Sequence, residues 1–349
     1  MTTSHVLRTD GGGSLGFGHI NRCLILADAI RNRGGKPEIV LGSESVNART
    51  HVSRTGHAYR ELDSSQAFEA TSVLRDAEHA VFDFSHRDTR GRIDDAQRLL
   101  AMAYESGART LLIDAKGAEC LSAMAEMKTN ILAIPYAGAE NEQVLPGAET
   151  DVRGLPFFAI DNKFLKLPTA SRLIPEKVER ILVTAGGSDP VRLTLFFLDV
   201  LEEIATPLEV HVVIGPGFDP KLTAEITVQA KNARHQTRLV RAPETLADEI
   251  FRADIALSAT GLTKYELAYT GTPCVLVSID ENHAIANRPF AALGSSIDMG
   301  EISDTNVGAV ASELEKLIGD TAARRKLANA GPKAIDGAGA QRLLDLLHG

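Results

Sequence analysis

The chain has 349 residues, more than one hydrophobic core usually supports, so two domains are expected. Hydrophobic residues make up 44% and charged residues 24%, the balance of an ordinary globular protein. The formal net charge of −9 argues against a general nucleic-acid binder, which would carry a basic surface, and still leaves room for a local phosphate pocket.

Strand-like and helix-like segments alternate along the chain, the pattern of parallel sheets covered by helices in an α/β fold. In the first half, His5–Thr9 and Ile39–Leu41 read as strands, followed by Ala80–Phe84 with Asp83 at its end, Thr110–Asp114 and Asn130–Ile134. Helices are expected between them, among them His19–Asn32 and Ile93–Ser106. The stretch Gly154–Pro175 holds three prolines and no clean period, which marks a linker. The expected division is a first domain over 1–155, a linker over 156–178 and a second domain over 179–349, with a last helix near Ala338–Leu347 that suits either domain. The second half restarts with the strong strand Arg180-Ile-Leu-Val-Thr-Ala-Gly-Gly187 and continues with strands at Glu209–Ile214, Thr237–Arg241, Ile255–Ala259 and Pro273–Ile279. Its expected helices include Val191–Ile204, Leu246–Ala253 and Thr263–Tyr269.

Each half opens with strand, glycine loop and helix. In Arg8-Thr-Asp10-Gly-Gly-Gly-Ser-Leu-Gly16-Phe-Gly18-His19-Ile-Asn-Arg22, glycines let backbone N–H groups approach a ligand, and the helix start that follows favours an anion. His19 falls in the first turn of that helix, at the carboxyl edge of a sheet, where open α/β sheets bind ligands. The helix dipole works against an imidazolium there, which suits a general base. The position suits equally a histidine that only hydrogen-bonds the loop. Asp10 is placed to orient His19 or to bind sugar hydroxyls, or simply to form the turn before the glycines. Gly11-Gly-Gly13-Ser-Leu-Gly16 has G-x-G-x-x-G spacing, but no convincing acidic residue ends the second strand, so the loop does not read as a dinucleotide fingerprint, and no Gly-Lys-Ser/Thr follows as in a P-loop.

In the second half, Ala185-Gly186-Gly187-Ser188-Asp189-Pro190 follows a strand. Asp189 and Pro190 read as the cap and first residue of a helix, while the two glycines suit backbone contact with a phosphate. The segment Ser258-Ala-Thr260-Gly261-Leu262-Thr263-Lys-Tyr-Glu266 repeats the strand–turn–helix arrangement, making a second anion cradle. Glu266 is placed to accept both hydroxyls of a ribose or only to complement the helix dipole. Asp280-Glu-Asn282-His283 is a polar cluster at another strand end.

Taken together, Arg8-x-Asp10, Gly16-x-Gly18-His19-x-x-Arg22, Gly186-Gly-Ser-Asp-Pro190, Ile214-Gly215-Pro-Gly217 and Thr260–Ala268 resemble the UDP-2,4-diacetamido-2,4,6-trideoxy-β-L-altropyranose hydrolases of pseudaminic acid biosynthesis and the related spore-coat polysaccharide proteins. The second half also resembles the nucleotide domain of the peptidoglycan N-acetylglucosaminyltransferase. The resemblance implies a GT-B fold, two Rossmann-like domains with parallel sheets facing across a cleft. It implies a UDP-sugar substrate, with His19 as the base that activates water, Asp10 beside it, and UDP released from a free sugar. Arg8, Gly16, Gly18, Arg22, Asp83, Asn282 and His283 are the implied substrate contacts. Gly186, Gly187, Ser188, Gly215, Leu246, Thr260, Gly261, Leu262, Thr263 and Glu266 are the implied nucleotide contacts.

The family pattern is departed from at Asp114-Ala-Lys116, Phe158–Asn162 and His283, so the nucleotide half matches better than the sugar-facing half. A glycosyltransferase with the same donor site and a non-catalytic sugar-nucleotide binder are the alternatives. Neither a cofactor nor a metal is expected. Cys23, Cys120 and Cys274 form no CxxC pair, and Cys23 and Cys274 read as core residues. Met1–Asp10 has no signal-peptide character and no apolar run is long enough to span a membrane, so a cytoplasmic monomer or weak homo-oligomer is expected, with no nucleic-acid partner.

Overall fold

The computed structural model describes residues 4–12, 16–42, 46–62, 67–83, 90–113, 127–142, 144 and 147–349. Phe84, Asp114-Ala-Lys116, Cys120 and the Gly13–Leu15 part of the first glycine loop lie outside these residues. The chain divides into two compact units, residues 1–162 with 337–349, and residues 163–336. Among the described residues, no helix is long and apolar enough to cross a membrane.

The first unit is built on seven parallel strands, β1 (Ser4–Thr9), β2 (Lys36–Leu41), β3 (Ala58–Glu61), β4 (His79–Asp83), β5 (Arg109–Ile113), β6 (Thr129–Ile134) and β7 (Ala148–Arg153). Their order is β3-β2-β1-β4-β5-β6-β7. Between them run α1 (Gly18–Asn32), α2 (Val46–Arg54), α3 (Ala67–Arg75) and α4 (Arg90–Glu105). The inner strands are apolar on both faces because helices cover both, as parallel sheets require. Leu7, Ile39, Val81, Leu111 and Ile131 pack on one side with Ile20, Leu26 and Ile30 of α1. Val6, Phe82, Leu112 and Leu132 pack on the other side with Leu99 and Leu100 of α4.

The second unit carries six parallel strands, β8 (Arg180–Thr184), β9 (Glu209–Ile214), β10 (Gln236–Arg241), β11 (Ile255–Ala259), β12 (Cys274–Ser278) and β13 (Ile297–Glu301), in the order β10-β9-β8-β11-β12-β13. After the short α5 (Asn162–Leu165), its helices are α6 (Leu193–Glu202), α7 (Pro220–Asn232), α8 (Ala247–Arg252), α9 (Thr263–Thr270), α10 (Glu281–Ala291), α11 (Val307–Gly319) and α12 (Thr321–Ala334).

The last helix, α13 (Gly339–His348), belongs to the first unit. Leu343, Leu344 and Leu347 are buried against that unit's core, each contributing roughly 1.5–3 kcal/mol. Gly339 makes the approach possible, since a Cβ there would stand 2.1 Å from the Phe158 carbonyl oxygen. The proline-broken stretch 156–178 is shared between the units. Arg342 of α13 donates to the Pro156 carbonyl at 2.8 Å. Arg172 donates to the carbonyls of Phe251 and Ala253, at 2.7 and 2.5 Å, and the fully buried Arg324 donates to those of Pro175 and Glu176, at 2.7 and 2.8 Å. The part after Asn162 is therefore fastened into the second unit by two guanidinium groups. Cys23 and Cys274 are both buried and unpaired, as small core residues.

Candidate functional site

In the first unit the chain leaves β1 toward β2 on one side, while β4 lies on the other, so the carboxyl ends of β1 and β4 flank a topological switch point, the place where open α/β sheets accept ligands. Thr9 pairs in register with Asp83, which sets the two strand ends level. The glycine loop then turns into α1. Gly12 and Gly16 have φ of 85° and 68°, values that side-chain-bearing residues rarely adopt, and the Gly12 N–H donates to the Gly16 carbonyl at 2.6 Å. At Gly11 a Cβ would lie 2.5 Å from Ile20 Cδ1, so the loop folds directly onto α1. The helix begins at Gly18 with no side-chain cap, which leaves first-turn N–H groups for a ligand or water.

His19 stands in that first turn with its side chain 18% exposed. Its Nδ1 lies 2.6 Å from Oδ1 of Asp83, a carboxylate with no exposure. Arg22, one turn further along α1, donates to both Asp83 oxygens at 2.7 Å. Burial by itself would raise the Asp83 carboxyl, but the Arg22 guanidinium and His19 reverse that and hold it below its ordinary value. An anionic Asp83 accepts, so Nδ1 of His19 donates. The 2.8 Å approach of Arg22 to the same Nδ1 is then a close contact between two donors rather than a hydrogen bond. With the proton on Nδ1, Nε2 is the nitrogen left to accept, the tautomer a general base needs. Tyr136, just past β6, completes the cluster with its ring 5.7 Å beneath the Arg22 guanidinium.

Asp10 is not the orienting carboxylate. Its Oδ1 accepts from Arg8 at 2.8 Å, both side chains are buried, and together they lie over the end of β2, where a Cβ on Gly42 would stand 2.0 Å from Asp10 Oδ1. The ion pair occupies both the residues assigned to substrate contact and catalysis on the carboxyl edge of β1.

The second unit repeats the topology, with its switch point between β8 and β11. After β8, Gly186 is exposed with φ of 78°. Gly215 supports the loop from below. A Cβ there would stand 2.5 Å from the carbonyl oxygens of both Gly186 and Gly187, and the Gly217 N–H donates to Gly187 at 2.8 Å. The helix start differs from the sequence expectation. Asp189 has φ of 47°, Pro190 lies outside the helix, and α6 begins only at Leu193. The buried Asp189 carboxylate accepts from the N–H groups of Leu193 and Thr194 at 2.6 and 2.9 Å. That helix end is already occupied by a carboxylate, so any anion at this loop would meet the backbone of Gly186–Ser188 rather than the α6 terminus.

After β11, Thr260 donates to Ser278 Oγ at 3.0 Å, and Gly261 is exposed with nothing within 4 Å of a Cβ placed on it. The α9 helix starts at Thr263 behind Leu262 with no side-chain cap, and Glu266 closes its first turn. This uncapped terminus at a strand's carboxyl end presents the free N–H groups that an anion cradle needs. Leu246 stands immediately before α8. Asn282 is exposed in the first turn of α10, and His283 is held by Asp280, whose Oδ1 accepts from both its backbone N–H and its Nδ1, at 2.8 and 2.7 Å.

Sequence reasoning passed over Lys264. It is only 5% exposed, donates to Asn287 Oδ1 at 3.0 Å and lies 5.1 and 5.0 Å from the Tyr265 and Phe290 rings. A cation sealed beneath the first turn of α9 adds positive potential at that helix terminus. Its sequence signal is a lysine between Thr263 and Glu266.

Two Rossmann-like parallel-sheet domains define the fold class as GT-B, the fold of glycosyltransferases and sugar-nucleotide epimerases. The MurG structure from Acinetobacter baumannii matches with a TM-score of 0.67 at 16% identity, covering 99% of both chains. A UDP-GlcNAc 2-epimerase from Neisseria meningitidis, bound to UDP-GlcNAc, matches with a TM-score of 0.60 at 15% identity over 99% of both chains. In sequence, the chain is similar to the spore coat polysaccharide biosynthesis protein SpsG of Bacillus subtilis (strain 168), 20% identical over 97% of this chain and 96% of that protein. It is also similar to the pseudaminic acid cytidylyltransferase and UDP-2,4-diacetamido-2,4,6-trideoxy-beta-L-altropyranose hydrolase of Helicobacter pylori, 27% identical over 47% of this chain and 27% of that protein. No protein-family model matches the chain.

Proposed function

We propose that the protein is a nucleotide-sugar hydrolase of bacterial surface-glycan biosynthesis, acting on a UDP-linked amino or deoxy sugar of the pseudaminic type. The observation that carries this reading is the 2.6 Å contact between His19 Nδ1 and Asp83, which leaves His19 Nε2 as an acceptor at the sheet's ligand-binding edge. The Helicobacter relative's name, a UDP-sugar hydrolase, supports the sugar-nucleotide assignment, and the Bacillus relative's name supports polysaccharide biosynthesis.

In this mechanism His19 Nε2 takes a proton from water as the water oxygen bonds to the anomeric carbon. The bond from that carbon to the diphosphate oxygen breaks with its electron pair, so UDP leaves as an anion and the free sugar has inverted configuration. Asp83 stabilises the imidazolium formed on His19, and Arg22 keeps Asp83 ionised. The diphosphate charge is met by the backbone of Gly186–Ser188 and by the first turn of α9, with Lys264 buried beneath it. Glu266 holds the ribose.

Incubation with UDP-sugars, with and without an acceptor, tests the assignment. UDP and free sugar formed without acceptor support hydrolysis. UDP release only in the presence of an acceptor points to a glycosyltransferase, and a changed sugar still attached to UDP points to an epimerase.

A further inference from the structure

Three histidines that the proposed chemistry does not use meet at the amino edge of the first unit's sheet. His5 lies at the start of β1, His79 opens β4 and His348 ends α13. One ring nitrogen of each lies within 4.8 Å of those of the other two. The Nε2 atoms of His5 and His348 are 2.8 Å apart. The His5 and His79 rings stack with centroids 4.8 Å apart, and His348 meets them edge-on at 5.1 and 4.9 Å. His5 is 3% exposed and His79 is half-buried, its Nδ1 sealed from solvent with no hydrogen-bond partner among the described residues. His348 is exposed, so the cluster is closed on the sheet side and open to solvent at the helix end. Sequence reasoning found no metal-type grouping because these residues share no local spacing. Only the fold assembles them.

We propose that His5, His79 and His348 bind a borderline divalent transition-metal ion such as Zn²⁺, with water as the fourth ligand. Neutral imidazole is the commonest ligand for such ions, and three protein ligands plus water is a known zinc arrangement. Ligand nitrogens at 2.0–2.1 Å from a tetrahedral ion stand ~3.3 Å apart, so the His5–His348 contact has to open by about half an ångström, while the wider nitrogen pairs, up to 4.8 Å, have to close and the stacked His5 and His79 rings have to turn toward the ion. Beside the cluster, Arg33 pairs with Asp345 at 2.6 Å and Arg109 donates to the Leu346 carbonyl. His79 and Asp83 occupy opposite ends of β4, roughly 13 Å apart at strand rise, so the ion takes no part at His19. It ties α13 to the ends of β1 and β4.

The test uses the full chain stripped with a chelator. Calorimetry with Zn²⁺ is expected to show one ion per chain, and Co²⁺ to give a tetrahedral visible absorption band. Amide exchange in 339–348 should slow on adding Zn²⁺. The exposed His348→Ala variant should bind Zn²⁺ on the order of 10²-fold more weakly and lose the exchange effect, with unchanged circular dichroism. His79→Ala should do the same from the other side of the site. Absence of stoichiometric binding by the wild type, or wild-type affinity in both variants, overturns the proposal.

Discussion

The Nδ1 atom of His19 lies 2.6 Å from Oδ1 of Asp83, and these residues come from a helix start and a strand end 64 positions apart. The contact depends on β1 and β4 being neighbours in register, which sets Asp83 level with the end of β1 and places α1 over it. Arg22 on the same helix face completes the arrangement. One carboxylate therefore fixes the tautomer of a histidine and neutralises a buried guanidinium at once.

Asp83→Asn is the first consequence. An amide presents its oxygen or its NH₂ group to Nδ1 without the charge that stabilises an imidazolium. Turnover should fall by about 10²–10⁴-fold, the range of general-base catalysis, with nucleotide affinity unchanged. Steady-state UDP release and calorimetric UDP titration measure the two quantities separately. Unchanged turnover would remove Asp83 from the mechanism.

The same pair has a pH signature in stability. The folded Asp83 carboxyl is held below its ordinary value, burial opposing the shift and Arg22 and His19 winning. A depressed carboxyl contributes stability above its unfolded value, about 3.9, and loses it as pH falls through the lower folded value. Losing the partner of a buried charge costs about 3–5 kcal/mol. Denaturant unfolding of wild type and Asp83→Asn should show a gap of that order near neutrality that shrinks below about pH 4. A gap constant across this window would contradict the ion-pair account.

Gly215 tests the second glycine loop. In Gly215→Ala the new Cβ falls 2.5 Å from two carbonyl oxygens of the Gly186–Gly187 backbone, which must move. Overpacking of this kind costs about 1–3 kcal/mol. UDP affinity should drop at least tenfold as the loop shifts, and undiminished binding by calorimetry would show that this loop does not hold the diphosphate.

Glu266→Ala should lose about 1.5–3 kcal/mol of UDP affinity for each charged hydrogen bond to the ribose. Thermal stability should stay nearly unchanged. A shift in melting temperature with affinity intact would make Glu266 a residue that complements the helix dipole.

Much of this architecture was legible in the chain. The inner strands β8, β9 and β11 are apolar runs because helices cover both faces; the limits of β9 and β11 follow from that, while β8 stops at Thr184, before the glycines that its expected run includes. The strands β3, β7 and β13 were not foreseen. Their sequences, AYRE, AETDVR and IDMGE, sit at sheet edges, partly exposed, and carry no apolar run. Glycine loops and helix starts were visible because φ above zero restricts the residue type. Partnerships were less so. Asp10 is adjacent to the glycine loop in sequence, yet it turns to Arg8, while the carboxylate that meets His19 arrives through sheet topology. Asp189 was recognised as a cap, but its left-handed backbone delays the helix by three residues. The histidines 5 and 348 are 343 positions apart, and no spacing rule brings them together.

The most direct measurement of the central claim is proton NMR of acceptor-free turnover of a UDP-linked amino or deoxy sugar, run on wild type and His19→Asn. Wild type is expected to release UDP and a free sugar whose first-formed anomer is inverted, and His19→Asn to bind substrate but turn it over about 10²–10⁴-fold more slowly. Turnover by His19→Asn at the wild-type rate, or a first-formed anomer of retained configuration, would contradict the claim.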